Sequence, residues 1–161
     1  MMGMDLLELF DINEKKLYQK VVRGFEPRKG EYIMIAYIFI HDQDGNILLK
    51  RNVSTDNWGI PCIYIRHGRP VDTIKEELKC ELGLNILSDD LIPMSTLPYN
   101  KFLYKMFYLN KNVNIKDINI SKGDTRIIKY FSMTEIERLI RNSFFKENHI
   151  MFIECLKKYL Q

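Results

Sequence analysis

The stretch EELKCELGL, Glu76–Leu84, decides how this chain folds. In and before it, apolar residues recur at steps of three and four: Val71, Ile74, Leu78 and Leu82. That spacing is typical of a helix with a single apolar stripe. Pro70 suits the first turn of such a helix, and Gly83 suits its C-terminal cap. The sequence therefore predicts a capped amphipathic helix from Pro70 to Gly83.

The polar face of this helix carries two glutamates, Glu77 and Glu81, with Cys80 between them. Residues three and four apart share a helix face, so the three side chains are neighbours. Like charges at this spacing repel by a few tenths of a kcal/mol. A bound Mg²⁺ ion would turn the repulsion into ligation, because it prefers carboxylate oxygens. A solvated acidic face explains the same pair, so the pattern alone leaves both interpretations open.

Length and composition restrict the classes of protein to consider. The 161 residues favour one domain with a single core. The net charge is only +3 and the basic residues are scattered, so we expect no nucleic-acid or membrane partner. The three cysteines are far apart, which favours reduced thiols and a cytoplasmic location. The longest apolar run, Tyr32–Ile40, is too short to cross a bilayer as a helix.

Strand patterns surround the helix. The segment Tyr32–Ile40 is apolar at nearly every position, as expected of a strand buried on both faces. Asp44-Gly45 predicts a turn that leads into a partner strand, ILLKRN. Residues 60–67 alternate like a further strand, and two helices follow residue 132. These elements indicate an α+β layered domain.

The order of these motifs resembles the Nudix hydrolase family. Its signature is G-x5-E-x7-R-E-U-x-E-E-x-G-U, where U is aliphatic, and EELKCELGL is similar to its end. Glu77 stands at the first glutamate of that end, Glu81 at the last, and Gly83-Leu84 at the closing pair. The N-terminal segment and the C-terminal tail look like the subgroup related to isopentenyl-diphosphate isomerase.

The resemblance implies a Nudix-type α/β/α sandwich, with a mixed β-sheet between helices. It covers residues 1–161 as a single domain. Within it we expect an N-terminal hairpin in residues 1–30, the sheet and Nudix helix in 31–132, and C-terminal helices in 133–161.

The sequence departs from the family's pattern at several positions. Glu76 replaces the arginine, Cys80 replaces the middle glutamate, and Cys62-Ile63 replaces a glycine pair. The upstream glutamate falls near Arg69, and the spacing from Trp58 to the helix end is one residue short. Family members hold divalent ions with three glutamates and a backbone carbonyl, and a neutral thiol is a poor ligand for Mg²⁺.

The resemblance nevertheless assigns a candidate site. Glu77 and Glu81 would be catalytic and would hold Mg²⁺ or Mn²⁺. Asp124 stands where the family often supplies another carboxylate, although its place after Gly123 favours a turn residue. Arg51 and Arg66 could each bind a phosphate, because a guanidinium matches phosphate oxygens.

Three functions follow from these residues. The first is metal-dependent cleavage of the diphosphate bond in a nucleoside diphosphate derivative, where the metal lowers the pKa of its bound water. The second is a catalytically impaired Nudix fold that binds a nucleotide or a protein. The third, an isomerase, needs a His-Pro pair beyond Cys62, whereas Gly68 follows His67 here. A homodimer stays an open alternative.

Overall fold

The computed structural model describes residues 5–120 and 126–161. The strands in these ranges are β1 Leu6–Phe10, β2 Lys16–Val22, β3 Tyr32–His41, β4 Ile47–Asn52, β5 Cys62–Tyr64, β6 Leu91–Tyr99, β7 Phe102–Asn112 and β8 Arg126–Phe131. The helices are α1 Pro70–Leu82, α2 Met133–Arg141 and α3 Ile150–Leu160, and single 3₁₀ turns span Ser88–Asp90, Ile115–Asp117 and Glu147–His149. Across the described ranges, no helix has both the length and the apolar character needed to cross a membrane.

The sheet is mixed and is built around β3. Successive parts of β3 pair antiparallel with β1, β5 and β4, while β7 runs parallel to it along most of its length. β2 extends the sheet beyond β1, β8 extends it beyond β4, and β6 extends it beyond β7. The predicted N-terminal hairpin is therefore part of the same sheet, with β2 as its outer strand.

Alternate residues of β3 enter two different cores. Met34, Ala36 and Ile38 pack with the apolar stripe of α1 on one side of the sheet. Ile35, Tyr37 and Phe39 pack on the other side with the buried residues of α2 and α3: Ile136, Phe152, Ile153 and Leu156. Each fully buried aliphatic or aromatic side chain contributes about 2 kcal/mol from the area that it removes from water. The sheet thus lies between helices, and the predicted α/β/α sandwich is confirmed.

Helix α1 begins and ends where its sequence predicts. Pro70 occupies its first turn, and Gly83 adopts the left-handed conformation with φ of 66°. The amides of Gly83 and Leu84 donate to the carbonyls of Lys79 and Leu78, which closes the last turn. Ile74, Leu78 and Leu82 are buried, so the polar side of the helix faces away from the sheet. Local signals therefore fix the orientation of both glutamates.

A buried histidine ties the segment before β5 to the C-terminal helices. Gly59 and Lys50 exchange backbone hydrogen bonds of 2.8 and 2.9 Å, which adds this segment to the edge of β4. The Ile60 N–H donates to Nδ1 of His149 over 3.0 Å. A Cβ at Gly59 would lie 2.9 Å from that Nδ1 atom and 2.8 Å from Cδ of Lys146. Only glycine fits this position without a shift of its neighbours.

Candidate functional site

The outward face of α1 places Glu77, Cys80 and Glu81 together. Cys80 is exposed, and the two glutamates are partly buried. Burial raises the pKa of Glu77, Arg66 opposes this effect, and the negative charge of Glu81 adds to it. The two carboxyl groups therefore share one electrostatic environment, in which Glu77 holds a proton more readily than an ordinary glutamate does.

Arg66, a positively charged residue of the chain itself, lies against Glu77. Its Nη1 atom donates to Glu77 Oε1 over 3.2 Å, and its Nε atom donates to Asp5 Oδ1 over 2.9 Å. Hydrogen bonding to Asp5 raises the pKa of Arg66, and the same contact lowers the pKa of Asp5. A third, longer contact runs from Nη1 to the Tyr64 carbonyl. The guanidinium is thus fixed by three partners beside the helix glutamate.

A second arginine, Arg126, lies against Glu81. The two side chains form an ion pair of 3.0 Å, and both are largely shielded from solvent. Arg126 is the first residue of β8, the strand at the sheet edge. Its side chain contacts Glu81 near the C-terminal end of α1. Lys50, Cys62 and apolar residues complete a cavity of about 10 Å³ around the pair. Such a cavity has space for about one water molecule.

The two arginines that the sequence predicts to bind phosphate, Arg51 and Arg66, lie in different parts of the structure. Arg66 lies in the site, whereas Arg51 donates to the Thr55 carbonyl over 2.8 Å and covers the ring of Trp58 at 5.2 Å. Arg51 therefore supports the loop after β4. Its neighbour Lys50 lines the cavity beside Glu81 instead. The alternation of side chains along a strand was the signal that could have singled out Lys50.

Asp124, the third predicted metal ligand, lies outside the described residues. Within residues 5–120 and 126–161, no three His, Cys, Asp or Glu side chains are grouped so that they could hold a metal ion. Glu77 and Glu81 are each in contact with a guanidinium. Mg²⁺ needs oxygen ligands at about 2.0–2.1 Å in an octahedron, and a cation next to each carboxylate opposes its entry. As arranged, these residues do not fit a Mg²⁺ or Mn²⁺ ion.

In comparison with known proteins, this chain is similar in structure but not in sequence. No protein-family model and no curated protein sequence matches the chain. A solved structure from Deinococcus radiodurans is 12% identical, with a TM-score of 0.70, over 92% of this chain and 97% of that chain. The Nudix domain of NrtR from Shewanella oneidensis, cocrystallised with ADP ribose, is 13% identical, with a TM-score of 0.64, over 86% and 95%.

A third similar structure is the bifunctional NMN adenylyltransferase/ADP ribose pyrophosphatase from Francisella tularensis, complexed with AMP and a manganese ion. It is 16% identical, with a TM-score of 0.61, over 86% of this chain and 43% of that chain. At such identities the similarity concerns the fold, and the relation to the isomerase subgroup stays a prediction. The mixed sheet, the outward glutamates of α1 and these structural neighbours agree: the chain is a Nudix-fold protein.

Proposed function

We propose that this chain binds a nucleoside diphosphate derivative beside α1 and does not cleave it through a metal ion. The observation that carries the proposal is the pair of arginine contacts. Arg66 contacts Glu77 at 3.2 Å and Arg126 contacts Glu81 at 3.0 Å, at two of the family's glutamate positions. At the position of the middle glutamate stands Cys80, a thiol. The carboxylates that would have to coordinate a metal ion are thus each already paired with an arginine of the chain.

The ligand class follows from the same cations and from the neighbours. A guanidinium offers five donors in a planar fork that matches phosphate oxygens, and Arg66 and Arg126 each use part of that fork on a glutamate. Lys50 adds a third positive charge at the Arg126 side. The Nudix domain from Shewanella oneidensis was crystallised with ADP ribose, a nucleoside diphosphate linked to a second sugar. We extend that ligand class to this chain.

Thermal unfolding with ADP-ribose, in EDTA and in Mg²⁺, tests the proposal. A ligand at one hundred times its Kd stabilises the folded state by about 2.7 kcal/mol, which raises Tm by several degrees. We expect the same rise in EDTA and in Mg²⁺. Arg66→Gln should reduce it, whereas Arg141→Gln, at an exposed position in α2, should not. A rise that requires Mg²⁺, or no rise with any nucleoside diphosphate derivative, would contradict the proposal.

Metal-dependent hydrolysis of the diphosphate is the second candidate. It is favoured by one observation: Glu77 and Glu81 lie together on the outward face of α1, at two positions where the family has glutamates. It requires Arg66 and Arg126 to release these carboxylates when the ligand and a metal bind. The candidate predicts release of AMP from ADP-ribose with Mg²⁺ or Mn²⁺, and loss of that release in Glu81→Gln. Equal rates in both proteins would refute it.

A further inference from the structure

A cavity of about 590 Å³ lies apart from the small cavity at Glu81. The turn after β2, the end of β5 and the turn between β6 and β7 form its walls. Cavities of about 300–1,000 Å³ with apolar walls and a few polar groups are typical of small-molecule sites. Phe25, Tyr64 and Phe102 line it together with Arg23, Glu26 and Lys101. The lining therefore combines three aromatic rings with three charged groups.

Two phenylalanine rings of the lining differ in how they are supported. Gly24 adopts a φ of +98°, and the amide of Phe25 donates to the carbonyl of Val22, so the backbone of the turn places Phe25 at the cavity wall. Phe25 is 68% exposed, unlike most phenylalanines of this chain. Phe102 stacks on Tyr104, with ring centroids 5.9 Å apart and planes within 5°. One fixed ring and one exposed ring offer stacking surfaces to a planar ligand.

The charged groups suit the other parts of a nucleotide. The guanidinium of Arg23 lies 4.2 Å above the ring of Tyr64, and Lys101 is oriented by a 3.1 Å bond from its ammonium group to the Arg28 carbonyl. Both cations can donate to phosphate oxygens. Glu26, the only carboxylate among the described residues of the lining, can accept from a ribose hydroxyl or a base amino group. A planar heterocycle with hydroxyls and an anionic group matches this set.

Three ion pairs connect the cavity to the face of α1. Asp5 contacts Arg23 at 3.6 Å and Arg66 at 2.9 Å, and Arg66 in turn contacts Glu77. Tyr64, a wall of the cavity, also accepts from Arg66 through its carbonyl. We propose that the cavity holds the base and ribose of the nucleotide, and that its diphosphate extends past Arg23 toward Arg66. This inference rests on the proposed function, because it takes the diphosphate site from it.

Calorimetric titration with two probes tests this inference. ADP carries a ring and a diphosphate, whereas pyrophosphate carries the diphosphate alone. Phe25→Ala should weaken ADP binding about tenfold or more, since stacking on an aromatic side chain is worth about 1–3 kcal/mol per base. Pyrophosphate binding should not change. Phe144→Ala is the matched control, because Phe144 is also exposed, at 46%, and does not line the cavity.

A second variant tests the charged part of the cavity. Arg23→Gln should weaken ADP binding several-fold, and the control Arg138→Gln, at an exposed position in α2, should leave it unchanged. If the wild type binds ADP and neither Phe25→Ala nor Arg23→Gln weakens it, the cavity inference is overturned while the proposed function stands. If the folded wild type binds neither ADP nor pyrophosphate, the proposed function fails and the diphosphate path fails with it.

Discussion

Acid should destabilise this protein through His149. The imidazole is 3% exposed, and its Nδ1 atom accepts the Ile60 N–H. Burial, followed by the nearby charges of Lys146 and Lys50, lowers the pKa of His149 from its ordinary 6.5 to about 4. The unfolded chain therefore binds more protons between these two values. Stability from this group is fully present above pH 6.5 and is lost as the pH falls toward 4.

The size of the effect follows from the two pKa values of His149. A difference of about 2.5 pKa units corresponds to about 3 kcal/mol when the loss is complete, and to about 2 kcal/mol between pH 8 and pH 5. Urea unfolding at both pH values measures it. His149→Gln keeps an acceptor for the Ile60 amide but cannot titrate. Between pH 8 and pH 5, its free energy of unfolding should therefore fall by about 2 kcal/mol less than that of the wild type.

Subtracting the variant from the wild type cancels the titration of the carboxylates that both proteins share. His67→Gln supplies the matched control, because His67 is exposed and pairs with Glu76 at the surface. The reasoning is refuted if wild type and His149→Gln lose the same stability between pH 8 and pH 5.

Three further predictions concern the fold and the face of α1. Gly59→Ala should destabilise the fold by about 1–3 kcal/mol in urea unfolding, because its Cβ would meet the buried histidine ring at 2.9 Å. Leu78→Ala, at a fully buried position of α1, should cost about 3 kcal/mol, whereas the exposed Leu87→Ala should cost under about 0.5 kcal/mol. Cys80→Glu should gain little Mn²⁺ affinity alone and more in combination with Arg126→Gln, as followed by titration calorimetry.

Each of these predictions has an outcome that contradicts it. An unchanged unfolding midpoint in Gly59→Ala would show that the backbone at this position can shift without a loss of stability. Equal losses in Leu78→Ala and Leu87→Ala would contradict the burial of the α1 stripe. Tight Mn²⁺ binding by Cys80→Glu alone would show that Arg126 does not compete with a metal for Glu81.

Local patterns made much of the fold predictable. The apolar stripe, Pro70 and Gly83 predicted α1 to within a residue, because helix periodicity and caps depend on neighbours in sequence. The uninterrupted apolar run of β3 predicted a strand buried on both faces, and both faces are buried. The sequence could not give the order of the strands, because parallel pairing of β3 with β7 joins residues about seventy positions apart.

The site was predictable only in part. Helix spacing brought Glu77 and Glu81 together, and the resemblance named them. Their partners come from distant segments: Arg66 is bound by Asp5, 61 positions earlier, and Arg126 begins the last strand. No local pattern reveals such pairs. The larger cavity likewise forms from two turns and a strand end that are far apart in sequence, so composition and periodicity gave no sign of it.

Titration of Mn²⁺ in the presence of saturating ADP-ribose tests the central claim most directly. The claim is that Arg66 and Arg126 occupy the carboxylates of Glu77 and Glu81, so that the nucleotide binds without a metal held by α1. We expect the wild type to bind Mn²⁺ no more tightly than the Glu77→Gln/Glu81→Gln double variant, with ADP-ribose recovered intact from both. A Mn²⁺ site in the wild type that the double variant lacks would contradict the claim.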